Sequence, residues 1–253
     1  MIYDTEIFKG FFDISTGLSP EVISSLFVVG IIIILAIIIA IQAHFADPLK
    51  KPRGLLYLAE EGVKFFDHLV YDMMGSEFNG FGGFIMAIAV YLFISFIFGL
   101  TGLPSPVTNL AVPFTLALIT FVLIHVTSMK YTKFRYFKRF IDPFPVMLPI
   151  NLISMWAPLL SMTLRLFGNA LAGWTLMSIV YYALGNLSGM IFSFIDSAWN
   201  QVFIAPIITP ILHAYFDLFS GFIQTTIFIF LTMINIANEV PEDLEEISVK
   251  GGR

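Results

Sequence analysis

The chain has 253 residues, of which 58% are hydrophobic and 12% charged, with a formal net charge of -5 and no cysteine. A soluble domain carries about 25% charged residues, so this composition excludes an ordinary water-soluble fold and directs the reading to a bilayer. The lack of cysteine excludes a disulfide framework, a thiolate nucleophile and cysteine-ligated metal or iron–sulfur centres.

A hydrocarbon core about 30 Å thick takes roughly 20 apolar residues per helix, so a chain of this length predicts an all-α membrane protein of about five membrane-embedded helices. Residues 1–21 carry Asp4, Glu6, Lys9 and Asp13 where a cleavable signal has a basic tip and a short apolar run, so they are expected to be a retained segment on the outer side. They also lack the Arg- and Ser-rich, acid-poor character of an organelle transit peptide. The expected location is a bacterial plasma membrane, with an organelle inner membrane as the alternative.

In chain order, the first span is predicted over about 22–45, where the apolar run Ile31 to Ile39 is interrupted by no Asp, Glu, Lys or Arg. Asp47, Pro48 and Pro52 close it. From Leu55 to Met74, apolar Leu55, Leu58, Phe66, Leu69 and Met73 alternate at helical spacing with Glu60, Glu61, Lys64, Asp67 and Asp72. That period predicts an amphipathic helix, lying in the interface or on the cytoplasmic side. Phe78 to Met129 contains no charged residue and holds two spans, about 80–103 and 112–129, with Gly102, Pro104, Pro106 and Pro113 marking the turn between them.

Lys130, Lys133, Arg135, Tyr136, Phe137, Lys138 and Arg139 follow directly on a span, which reads as a cytoplasmic membrane flank rather than a nucleic-acid patch. Beyond Pro145 come two long segments, about 146–184 and 202–237, each longer than a perpendicular crossing needs, so both are expected to tilt strongly or bend. The membrane domain is thus expected over 22–238, with an acidic, exposed and partly disordered tail over 239–253. Eleven of the thirteen Lys and Arg residues fall on one side of a five-span topology, leaving Lys9 outside and Arg165 within a span. The positive-inside rule then puts the N-terminus outside and the C-terminus in the cytoplasm.

Between Pro143 and Ile195 the one charged residue is Arg165. An arginine cannot escape the cost of the membrane by shedding its proton, as a lysine can, and that cost begins at about 2.5 kcal/mol. It needs an anion. Helical period aligns Ser161, Arg165 and Asn169, then Ala172 and Gly173, with Gly168 nearby, on a narrow polar face suited to a close helical partner. Snorkelling to the interface or pairing within the same subunit is the structural alternative. The last long segment has its own stripe of His213, Asp217, Ser220 or Gly221, Gln224 and Asn235. His213 and Asp217, one turn apart, can share or pass a proton, and Gln224 offers donor and acceptor without net charge; a pair that only fixes helix packing is the alternative.

Ser161-x-x-x-Arg165-Leu-Phe-Gly-Asn169-x-x-Ala-Gly173, followed by Gln224 seven positions after an acid, resembles the paired long helices of subunit a of rotary proton-translocating ATP synthases. Pro104-Ser-Pro-x-Thr-Asn109 and Pro149-x-Asn151-Leu-Ile extend the resemblance over nearly the whole chain. Trp174 stands where many bacterial relatives have Glu, and Asn109 where some have Asp; the resemblance implies that Asp217 carries the carboxylate that Trp174 cannot. It further implies a non-catalytic stator subunit facing the mid-membrane carboxylates of a c-ring, with peripheral stalk subunit b and the other synthase subunits as partners. Arg165 is then the charge separator, Asn169 and Gln224 its polar supports, Ser161 a neighbour on the same face, and Asp217 with His213 the lining of the outer half-channel. No cofactor is expected, and no Gly-x-x-x-x-Gly-Lys phosphate loop is present. The rival reading is a small ion channel or secondary transporter that uses Arg165 as an anion site, but the two halves show no internal repeat. An assembly scaffold would account for the apolar helices but not for the polar stripes.

Overall fold

The computed structural model describes residues 19–47, 51–133, 136, 144, 146, 148–192 and 203–240. The described residues form helices without a strand. Five of the helices are long and apolar enough to cross a membrane. The chain is an all-α membrane protein, as its composition predicts. In hydrocarbon every backbone group must be satisfied within its own segment, and the helix does this.

Helix α1 spans Pro20–His44, begins with Pro20 in its first turn, and leaves Ile33, Ile34, Ile37 and Ile41 exposed toward what is lipid in a bilayer. It touches the bundle through Val28, which is fully buried, and through a 2.7 Å hydrogen bond between Ser25 Oγ and Tyr91 Oη. Helix α2, Leu55–Met74, is bracketed by Gly54 (φ 64) and Gly75 (φ 79), left-handed positions that a side chain would strain. It buries Val70 and Met74 against the bundle and keeps Glu61, Lys64, Asp67 and Asp72 exposed, which is the amphipathic helix expected there.

Helix α3, Gly82–Ile97, continues as a 3₁₀ turn to Thr101. The turn beyond it is tied together by Ser105 Oγ donating to the Ser95 carbonyl at 2.7 Å. Helix α4, Ala111–Thr132, starts where Asn109 Oδ1 accepts from the Ala111 N–H at 2.9 Å, while Asn109 Nδ2 donates to Ser19 Oγ at 2.8 Å. Asn109 thus fastens the start of α1 to the α3–α4 turn. The basic residues Arg135, Lys138 and Arg139, most of the N-terminal segment and the tail from 241 lie outside the described residues.

Helix α5, Leu148–Ile191, is 44 residues long, about 66 Å at 1.5 Å per residue, twice the thickness of the hydrocarbon core. It runs through Pro158 and extends past the expected end at Leu184, because Gly185 and Asn186 are followed by more helix-compatible residues rather than a cap. Helix α6, Ala205–Ala237, is α-helical over Ala205–His213, π-helical over Ala214–Phe219 and α-helical again over Ser220–Ala237.

The core lies where α3, α4, α5 and α6 meet, around Ile85, Leu92, Phe121, Leu159, Leu166 and Phe228. Lipid is as apolar as leucine, so helices associate in a membrane through close packing and interhelical hydrogen bonds rather than through the hydrophobic effect. Both devices occur here. Thr120 and Thr232, each fully buried, face each other at 3.4 Å across α4 and α6. At Gly221 a Cβ would lie 2.6 Å from Phe96 Cβ, so α6 approaches α3 at a distance that requires glycine.

Candidate functional site

Helix α5 divides its residues between two environments. Leu159, Met162, Thr163 and Leu166 are buried against the bundle, whereas Leu160, Ser161, Leu164, Arg165, Gly168, Leu171 and Ala172 are exposed. Three- and four-residue spacing makes the exposed set one continuous stripe. Arg165 therefore stands on an outward, otherwise mostly apolar face near the middle of a 44-residue helix. Its guanidinium makes a 3.4 Å contact with Ser161 Oγ one turn earlier, and no carboxylate pairs with it among the described residues. Snorkelling is poorly served by this position, since about 25 Å of helix runs from Arg165 to the start of α5 and about 39 Å to its end.

Asn169, one turn further on, turns inward and is half-buried. Its Nδ2 donates to Ser220 Oγ at 3.0 Å, and Ser220 Oγ lies 3.2 Å from Asn169 Oδ1. Nearer the end of α5, Gly173 faces Phe216, where a Cβ would sit 3.9 Å from the Phe216 Cβ. Trp174 is 60% exposed. At this level Gly173 marks the close approach of α5 to α6.

Gln224 is 6% exposed, and its Nε2 has no hydrogen-bond partner among the described residues. Gln224, expected as a polar support near Arg165, makes no hydrogen bond to it through Nε2. The α6 stripe carries Gln224 into the helix packing, while Arg165 points outward from α5.

His213 and Asp217 do come together. Nδ1 of His213 and Oδ2 of Asp217 are 2.5 Å apart, with the two side chains 24% and 22% exposed. His213 closes the α-helical stretch and Asp217 lies within the π-helical one, an arrangement that recurs at functional sites. The 3₁₀ turn of α3 supplies the facing wall: a Cβ on Gly99 would lie 3.8 Å from the Asp217 carboxyl group. On the other side, Tyr181 Oη of α5 is 2.9 Å from His213 Nε2, with the rings 5.9 Å apart between centroids.

Sequence reasoning missed Tyr181, Gly99 and the π-helical turn. A tyrosine hydroxyl inside a span seeks a partner, which was a usable signal for Tyr181. Gly99 and the turn are set by tertiary packing and leave no such mark.

The arrangement offers a fixed, outward-facing cation on α5 and, on the α5–α6 seam, a line of three groups able to exchange protons. Those features can be weighed against known proteins. The sequence model of the family described as ATP synthase A chain matches residues 22–237. The chain is similar to the ATP synthase subunit a of Mycoplasma genitalium, 30% identical over 246 residues that cover 88% of this chain and 82% of that protein. It is similar to the ATP synthase subunit a of Anoxybacillus flavithermus, 30% identical over 210 residues, covering 76% of this chain and 81% of that one. A third relative, the sodium ion specific ATP synthase subunit a of Propionigenium modestum, is 29% identical over 194 residues, covering 70% of this chain and 60% of that protein.

Proposed function

We propose, starting from the fact that this chain belongs to the ATP synthase A chain family, that it is the proton-translocating stator subunit of the Fo sector, with Arg165 facing the carboxylates of a c-ring. As a member of that family it is a non-catalytic, multi-pass membrane subunit that works with the other ATP synthase subunits. The observation that carries the finer reading is the exposure of Arg165 on a mostly apolar stripe of α5 without a carboxylate partner among the described residues. A permanent cation facing outward at that depth is costly unless a second body brings an anion to it.

In this reading a carboxylic acid of the ring arrives protonated from lipid. Close approach of the guanidinium favours the carboxylate form, so the proton leaves toward one aqueous half-channel. A carboxylate moving on from Arg165 meets apolar surroundings and is reprotonated from the other half-channel. The fixed cation also repels a proton passing directly between the half-channels, so flow is coupled to rotation, and each 100 mV supplies about 2.3 kcal/mol per charge moved. Exposed Leu164 and Leu171, with Gly168 between them and Ala172 beside them, give the ring a smooth contact face. Asn169, held to Ser220, stiffens the α5–α6 pair behind Arg165.

Asp217 and His213 belong to the outer half-channel in this account, with Ser161 beside the guanidinium and Gln224 acting through helix packing. The proposed arrangement has a membrane domain over 22–238 in a bacterial plasma membrane, residues 1–21 outside, and the acidic tail 239–253 in the cytoplasm. Peripheral stalk subunit b is the other partner proposed, holding this subunit against the turning ring.

The rival transporter reading keeps Arg165 but asks it to bind an anion inside a single subunit. Reconstituting the purified chain alone and together with its ring separates the two. The stator reading expects proton flux from the assembled pair and little from the chain alone; anion transport by the isolated chain would favour the rival.

A further inference from the structure

The half-channel reading of Asp217 leaves the phenol of Tyr181 without a role. Tyr181 Oη, His213 Nε2, His213 Nδ1 and Asp217 Oδ2 follow one another at 2.9 Å and 2.5 Å across the α5–α6 seam. An ionised carboxylate only accepts hydrogen bonds, so Nδ1 carries the proton that faces Asp217. The neutral ring then presents a bare Nε2, and the Tyr181 hydroxyl donates to it. Once the imidazole is protonated, Nε2–H donates instead and the same hydroxyl oxygen accepts.

A hydroxyl is suited to both states because it rotates at little cost. Gly99 closes the far side of Asp217 with no side chain of its own, and a Cβ there would already touch the carboxyl group. The carboxylate is thus held between a bare backbone wall and His213, and His213 between Asp217 and Tyr181. The two oxygens that fix the imidazole come from different helices, so the ring is pinned by the seam rather than by α6 alone.

We infer that Tyr181 is a positioning residue of the proton path, holding the His213 imidazole in line with Asp217 both before and after proton uptake. The inference rests on the reading of Asp217 as part of the outer half-channel. In each transfer the His213 imidazole takes a proton from water at Nε2 as its Nδ1 proton passes to the Asp217 carboxylate, while the Tyr181 hydroxyl keeps its own proton and only turns from donor to acceptor. The count of protons on Tyr181 and His213 is unchanged, and Asp217 gains one, which it later releases toward the ring.

Passive proton flux through Fo in membrane vesicles stripped of the catalytic sector, read with a pH-sensitive dye, tests this. Wild type is compared with Tyr181→Phe, His213→Gln, the double variant and Asp217→Asn at equal assembled subunit content. Tyr181→Phe keeps the ring and its packing and is expected to slow flux about fivefold, the scale of one lost hydrogen bond. In the His213→Gln background the same change is expected to cost nothing further, because the partner it positions is gone. Unchanged flux in Tyr181→Phe, or an undiminished cost in the His213→Gln background, overturns the positioning role, since packing alone would give the latter. Unchanged flux in Asp217→Asn overturns the underlying half-channel reading instead.

Discussion

Arg165 and Leu166 are neighbours in sequence that face opposite environments: Leu166 is fully buried against the bundle, and Arg165 is exposed on the outer stripe of α5. The fold supports a permanent cation in this way, by packing the helix on one side so firmly that the other presents its charge outward. Helix period makes the two requirements compatible, since adjacent residues lie about 100° apart around the axis.

Asn169 and Ser220 are the polar tie between the two long helices behind that charge. Ser220→Ala removes the tie while leaving helix propensity improved, and leaves a half-buried amide short of a partner. It is expected to cost about 1 kcal/mol at the seam. ATP-driven proton pumping should fall several-fold with normal incorporation into the complex; pumping at the wild-type rate would show that the seam is held elsewhere.

Gly221 and Phe96 set the distance between α3 and α6. Any β-carbon at 221 meets Phe96 Cβ at 2.6 Å, so Gly221→Val forces the helices apart, at a cost of about 1–3 kcal/mol. The expected result is a reduced amount of this subunit in the assembled complex, measured by immunoblot of purified membranes. Phe96→Ala placed in the same background should recover part of the loss, because it empties the space the new side chain needs.

The spans and the arginine were legible in sequence for the same physical reason. Apolar length and a misplaced charge are both priced against hydrocarbon, residue by residue, whatever the tertiary structure. His213 and Asp217 were legible as a pair from i, i+4 spacing. Their pairing persists although the helix is π-wound from Ala214 to Phe219, a winding that spacing rules built on 3.6 residues do not reveal. Gln224 was harder. Its place on the polar stripe was readable, but whether the stripe at that point faces Arg165 or the packed interior depends on how α6 is rotated against α3 and α4. Tyr181 lies on a different helix from its partner, at a sequence separation that no periodicity links.

Asp217→Asn keeps the size of the side chain and removes its ability to take and release a proton. Proton flux should fall by roughly a hundredfold or more, the range of a lost acid–base group, with assembly intact. Asp217→Glu should retain part of the flux if the added methylene is tolerated beside Gly99. The pair of measurements distinguishes loss of a proton carrier from loss of a packing contact.

The Tyr181, His213 and Asp217 line is built of groups that exchange protons, so pumping at fixed pH is expected to be insensitive to added sodium. The relevant measurement is ATP-driven acidification of inverted vesicles across a series of sodium concentrations. A rate that rises and saturates with sodium would place this chain functionally with its sodium ion specific relative from Propionigenium modestum.

The most direct measurement compares ATP-driven acidification of inverted vesicles containing wild-type complex with those containing Arg165→Ala, at equal subunit content. Leaving a ring carboxylate without its cation at membrane depth costs at least about 2.5 kcal/mol, roughly 70-fold in rate. Acidification is therefore expected to vanish while the complex still assembles. Acidification near the wild-type rate in Arg165→Ala would contradict the account and return Arg165 to a structural role.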